Sequence, residues 1–269
     1  MVLQGDEEGF SPPFDSSLYG ASFSPSSPAE EFEIEYEDCD AIGVFFQTTN
    51  DVRSLLPEGI EPLSDPPQAG IMVTRYPFST VGTYNEYFAL VQVKDTNGEM
   101  AYYIPYIYVT NDAAMASGRE VAGAPKKMAD IEVEKDKDVI QGTMERPAGK
   151  RLFTVTVKPE ERAAGSMVDT VMPSPTPLLS VRHMPPIQGG DGLTQLVKWY
   201  ADIDFYEDSE GVRKMWMGPC EASYDSHSSI DPIHKIEIDD VMMGTYARFD
   251  MVLGVTEVLR NGNIRTMSY

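Results

Sequence analysis

The sequence predicts a mainly β fold with a few short helices (α+β), its strands antiparallel and either closed into a barrel or stacked as a double sheet. Three observations predict it. Short runs rich in β-branched and aromatic residues recur along most of the chain. Windows with helical periodicity are few and brief. Turn residues separate the runs, and Asn97-Gly98 between two of them is a hairpin signal. Many short strands at this spacing favour a barrel or sandwich over a layered α/β fold.

The elements follow in order. Residues 1–31 read as an acidic, Ser/Pro-rich N-terminal extension, punctuated by Phe10, Phe14, Tyr19 and Phe23. Residues 32–269 read as one domain, with no internal repeat and no second boundary. Its first strand is the apolar run at 41–47. A short helix at 51–56 closes at Pro57-Glu58-Gly59. Strands follow at 70–76, 84–93 and 101–109. Residues 111–120 suit a short helix, because Ala113, Ala114 and Ala116 favour it and Asp112 suits its N-cap. Strands continue at 131–134, 139–144 and 152–157. Pro173, Pro175 and Pro177 interrupt the rhythm. Strands at 178–183, 193–201, 212–217, 233–238 and 245–259 complete it.

Composition narrows the function. The chain has 269 residues, a net charge of −22 and a hydrophobic fraction of 42%, enough for a sizeable core. So acidic a chain repels nucleic-acid phosphates and anionic membranes, so neither is a default partner. No lysine or arginine precedes Arg53, whereas twelve acidic residues do. The N-terminus carries no basic, apolar leader, and no run is long and apolar enough for a membrane span, which suggests a cytoplasmic protein. Cys39 and Cys220, far apart in sequence, are expected as reduced thiols. The three histidines form no ligand-spaced pattern, and His227 and His234 are too far apart to suggest a metal site.

The chemistry centres on Lys126-Lys127, directly behind Pro125 in the run GREVAGAPKKMA. An unperturbed lysine, at a pKa of ~10.4, is neutral in roughly one molecule in a few thousand at pH 7. An apolar pocket and a neighbouring cation both favour the neutral, nucleophilic amine. A lysine pair on a small-residue segment is therefore a candidate imine-forming site. The dipeptide alone fits a solvated basic turn better.

The surrounding residues change that balance. GREVAGAPKKMA resembles the signature of the acetoacetate decarboxylase superfamily. Thr83-Tyr84-Asn85-Glu86 resembles that family's upstream Tyr-x-Glu strand. Trp216-Met217-Gly218-Pro219 with the trailing His227, and Ser54-Leu55-Leu56-Pro57-Glu58, resemble two further blocks. The resemblance runs from about residue 41 to about residue 260. It implies the family's antiparallel barrel and double sheet, a cofactor-independent lyase without a metal, and a small-molecule keto substrate. It also implies a homo-oligomer. By the same resemblance Lys126 is the nucleophile, Lys127 the auxiliary lysine and Glu86 the acidic partner that orients groups or moves a proton. Arg119 and Glu120 are expected to fix the loop ahead of the lysines, and Trp216 and His227 to be core or turn residues.

Two departures stand out. Where the decarboxylases carry a carboxylate-binding arginine, residues 35–40 read EYEDCD, with no base. Arg75 is the candidate replacement. Ala124 stands where those enzymes carry a tyrosine, so a wider pocket is expected, walled in part by Ile107 and its neighbours. The resulting reading is a decarboxylase of a β-keto acid larger than acetoacetate. The alternatives are an imine-dependent aldolase, dehydratase or cyclase of specialised (secondary) metabolism that releases no carbon dioxide, and a non-catalytic small-molecule-binding barrel.

Overall fold

In a computed structural model of the chain, residues 33–189 and 192–262 are described. The extension at 1–31 lies outside the described residues, as do its aromatics. Strand β1 (Glu33–Gln47) leads into a 3-10 turn at Asn50–Leu55, then β2 (Glu61–Pro62), β3 (Gln68–Tyr76), β4 (Phe78–Ser79), β5 (Tyr84–Lys94) and β6 (Met100–Val109). Helix α1 (Asp112–Ser117) and a π-helical turn at Gly118–Ala122 precede β7 (Lys126–Met128). Strands β8 (Asp130–Asp136), β9 (Val139–Glu145), β10 (Arg151–Val157) and β11 (Glu161–Arg162) follow, then helix α2 (Gly165–Val171). The chain finishes with β12 (Thr176–Met184), β13 (Leu193–Phe205), β14 (Met215–Gly218), β15 (Cys220–Ser223), a 3-10 turn at Ile233–Lys235 and β16 (Asp240–Asn261).

Seven strands pair in the order β1-β3-β5-β6-β12-β13-β16, and β16 pairs back to β1, which closes a barrel. An odd number of strands cannot alternate in direction all the way round. One joint must be parallel, and it is β6 with β12, through Tyr102↔Leu178 and Tyr103↔Leu179. The other joints are antiparallel as expected. Beyond that brief joint β6 runs on against β7, again in parallel, with Ile107 opposite Lys126. The lysine pair is therefore built into the barrel wall.

A second sheet, β8-β9-β10-β15, covers part of the barrel's outer face. This explains the unbroken apolar runs. On β3, Met72 and Tyr76 belong to the barrel interior, while Ile71 and Val73 pack outward with Phe153 and Val155 of β10. Side chains of a strand alternate between faces, and here both faces are buried. On β1 a bulge between Tyr36 and Cys39, with Asp38 at φ 56°, shifts the alternation. Tyr36 and Cys39 consequently both face the interior cluster.

Several expectations are corrected. Residues 233–238, whose IHKIEI pattern alternates as a strand would, instead form a 3-10 turn at Ile233–Lys235. Helix α2 stands just before the proline cluster, where no helix was expected. The cap of α1 is Asn111, whose side chain accepts from the amides of Ala113 and Ala114; Asp112 is the first helical residue. The strand expected at 212–217 begins only at Met215. Both cysteines are free thiols, Cys39 buried and Cys220 half-buried. Among the described residues no helix is long and apolar enough to cross a membrane.

Candidate active site

The segment GREVAGAPKK is shaped by two glycines. Gly118 opens the π-helical turn, and a Cβ there would stand 2.7 Å from both Cδ and Cε of Lys126. Its bare α-carbon is the surface along which the lysine side chain lies. Gly123 ends the turn at φ 71°, and a Cβ there would come within 2.4 Å of the Arg182 backbone nitrogen on β12. Only glycine fits both that conformation and that approach. The turn is further tied down by Ala124 N–H, which donates to Gly118 C=O, and by Arg119, whose guanidinium donates to Lys126 C=O at 3.1 Å. Ser180 links it to the barrel wall, accepting from the Trp199 indole and donating to Ala122 C=O.

Lys126 points into the barrel. It is 4% exposed, and its Nζ lies 2.9 Å from Oε2 of Glu86, itself 6% exposed. The contact is a buried ion pair. The other oxygen, Oε1, accepts from the Tyr76 hydroxyl at 3.2 Å. The Lys126 amine also lies 5.4 Å from the centre of the Tyr84 ring. Tyr84 and Tyr36 share a hydroxyl–hydroxyl bond of 3.0 Å, and the rings of Tyr36, Tyr76 and Tyr84 pack edge to face or tilted. Burial, reinforced by the Glu86 carboxylate, pushes all three phenols well above their usual range. They are held as neutral hydroxyls around one carboxylate.

Lys127 points the other way, because successive residues of a strand face opposite sides. Its ammonium bonds Asp231 Oδ1 at 2.9 Å and Ile230 C=O at 3.0 Å. Asp231 also receives Arg146 at 3.0 Å and the Tyr108 hydroxyl at 3.2 Å. Burial raises the Asp231 carboxyl, but these donors, Lys127 first, outweigh it and hold the group below the ordinary carboxylate range. The two lysines are thus separated by the barrel wall, and the second is neutralised outside it.

The cavity around Lys126 is lined by Tyr36, Met72, Thr74, Tyr76, Glu86, Phe88, Leu90, Ile104, Ile107, Met172, Trp199 and Phe249, among others. It is small, leaving about 60 Å³ to the centre of a water-sized sphere. Ile107 is in the wall. Arg75 is not. Its neighbours Thr74 and Tyr76 face inward, so Arg75 faces outward, half exposed and paired with Asp40. No arginine lines this cavity among the described residues. Ala124 is buried in the interior cluster and does not itself line the cavity. Trp216 stacks on Tyr246 under Arg162, and His227 stacks on His234 at 4.1 Å, both away from the cavity.

Sequence reasoning did not single out Tyr36, Tyr76, Trp199 or Asp231. Tyr36 lies in the very stretch searched for an arginine, and its signal was the inward parity of an aromatic on an acidic strand. Asp231 carried no local signal at all.

The chain is similar to known proteins. The sequence model of the family described as acetoacetate decarboxylase matches residues 20–261. Acetoacetate decarboxylase 3 of Mesorhizobium japonicum is 28% identical over 248 residues, covering 91% of this chain and 89% of that protein. The crystal structure of acetoacetate decarboxylase from Legionella pneumophila superposes with a TM-score of 0.76 at 21% identity, covering 88% of this chain and 94% of that one. The enduracididine biosynthesis enzyme MppR, complexed with the condensation product of pyruvate and imidazole 4-carboxaldehyde, superposes at 0.69 with 18% identity, covering 88% and 94%. At such identities the superpositions speak for the fold.

Proposed function

Because the chain belongs to the acetoacetate decarboxylase family, we propose that it is a lyase that binds its keto substrate as an imine on Lys126 and decarboxylates a β-keto acid larger than acetoacetate. One observation carries the reading: a lysine amine, almost wholly buried in an apolar cavity, with a single carboxylate 2.9 Å away. The amine attacks the ketone carbon. Water leaves from the carbinolamine, and Glu86 handles the protons that this requires. The protonated imine then accepts the electron pair of the breaking carbon–carbon bond as carbon dioxide departs. The enamine is protonated at carbon, and hydrolysis returns the ketone and the free lysine. The apolar wall favours the step in which a localised carboxylate charge disappears. Tyr76 holds Glu86 in place. Lys127 has no contact with the reacting amine in this scheme; its role is to bind Asp231 and anchor the outer side of β7.

A second reading has its own support. Without an arginine in the wall, a neutral ketone meets no missing partner, which favours imine-based aldol or dehydration chemistry without loss of carbon dioxide. Borohydride trapping with candidate ketones and keto acids, read by mass at Lys126, tests the imine. Carbon dioxide release on the same keto acids separates the two reactions. Absence of any adduct would leave only a binding barrel.

A further inference from the structure

The charged groups of the cavity stand at one end only. Lys126, Glu86, Thr74, Tyr76 and the facing tyrosines make the polar end. Along β5 the inward positions then read Glu86, Phe88 and Leu90, with Met72 and Ile107 opposite Phe88 and with Ile104 further along β6. Four residues of strand span roughly 13 Å. Met172, the residue that ends α2, also lines the space. There Val168 is fully buried, and the Tyr102 hydroxyl donates to Val171 C=O.

Beyond the polar end no charged side chain lines this path among the described residues. Of the polar side chains there, Thr176 already donates to Pro173 C=O and the Trp199 indole to Ser180, so a polar substrate tail would lose its water for little return. The space open to the centre of a water-sized sphere, about 60 Å³, is small for a fused ring system. An unbranched alkyl chain satisfies both limits. Met72, Met172 and Met251, flexible and unbranched, allow the wall to yield around it.

Resting on the imine reading above, we infer that the substrate is a ketone or 3-oxo acid with an unbranched alkyl chain, its carbonyl at Lys126 and its chain running past Phe88 and Leu90 to Met172. The barrel's depth then sets a chain-length limit. The test is a series of 2-alkanones from propanone upward, each incubated with the protein and borohydride and read by adduct mass at Lys126. In parallel the Trp216→Phe variant, which leaves Trp199 in the cavity wall as the sole tryptophan, reports binding by fluorescence. Affinity should tighten about fourfold per added methylene, up to a cut-off. Leu90→Phe and Met172→Phe should each move that cut-off to shorter chains. Affinity independent of chain length overturns the inference, as does a cut-off unmoved in both variants. Should affinity climb with chain length while no ketone forms an adduct, the imine reading fails and the alkyl channel stands.

Discussion

At the residue scale the two lysines have different fates despite being neighbours. Lys126→Ala should abolish both turnover and borohydride trapping; retained turnover would refute its role. Lys127→Ala should leave trapping at Lys126 intact, because the second ammonium sits across the wall on Asp231. Its cost, of the order of 1 kcal/mol as for a half-exposed charged pair whose carboxylate keeps a second base, Arg146, should appear as a lowered melting temperature. Loss of trapping in Lys127→Ala without unfolding would restore an auxiliary role. Glu86→Gln should slow turnover by about 10²–10⁴-fold, the range of a lost acid–base group, while an adduct still forms. Much of this site was legible, since Lys126 and Glu86 sit in short ordered motifs. What was not legible depends on distance in sequence. Nothing near Lys127 announces Asp231, and only the parity of β3, once fixed, shows that Arg75 faces away from the cavity.

At the element scale, strands were readable because β-branched and aromatic residues accumulate where both faces are buried, as on β3 and β5. Closure was not readable: the pairing of β16 with β1 joins the two ends of the described barrel, and no local pattern encodes it. The run 233–238 misleads because alternation needs a partner strand, and the chain there packs as a turn instead. The π-helical turn ahead of the lysines is the element most exposed to a single substitution. Gly123→Ala would impose φ 71° on a residue with a Cβ and drive that atom into β12. A loss of about 1–3 kcal/mol from the backbone strain alone is expected, with the clash added, read as a lower melting temperature. Gly118→Ala should behave differently. Its Cβ meets a flexible side chain, so stability should change little while the Lys126 amine is displaced and trapping slows. If both variants lost stability equally and neither affected trapping, the turn would be only a structural joint.

At the scale of the whole molecule, charge and burial set opposing pH limits. The chain carries −22 at neutral pH with a pI near 4.4, so mild acidification relieves self-repulsion. Against this stand three paired carboxyls, Asp40, Asp95 and Asp231. In each, burial raises the group and its donors more than compensate. Lys135, Tyr246 and Arg75 act on Asp40; Lys198 and the Glu99 and Asn97 amides on Asp95; Lys127 and Arg146 on Asp231. All three are held below the ordinary 3.8. The unfolded chain therefore takes up these protons first, and the stability they contribute is complete above 3.8 and drains away below it. At the other limit, burial keeps Tyr36, Tyr76, Tyr84 and Tyr87 protonated past the ordinary 10.0. The unfolded chain releases those protons first, so stability falls above that pH. Melting temperature followed against pH should thus rise gently from neutrality toward the pI, fall steeply below about 4, and fall again above about 10. Asp231→Asn should lower the neutral value and flatten the acid limb. An acid limb as steep as in the unaltered protein would mean that the pair outside the barrel wall contributes nothing to acid stability, and that Lys127 is held there by geometry alone.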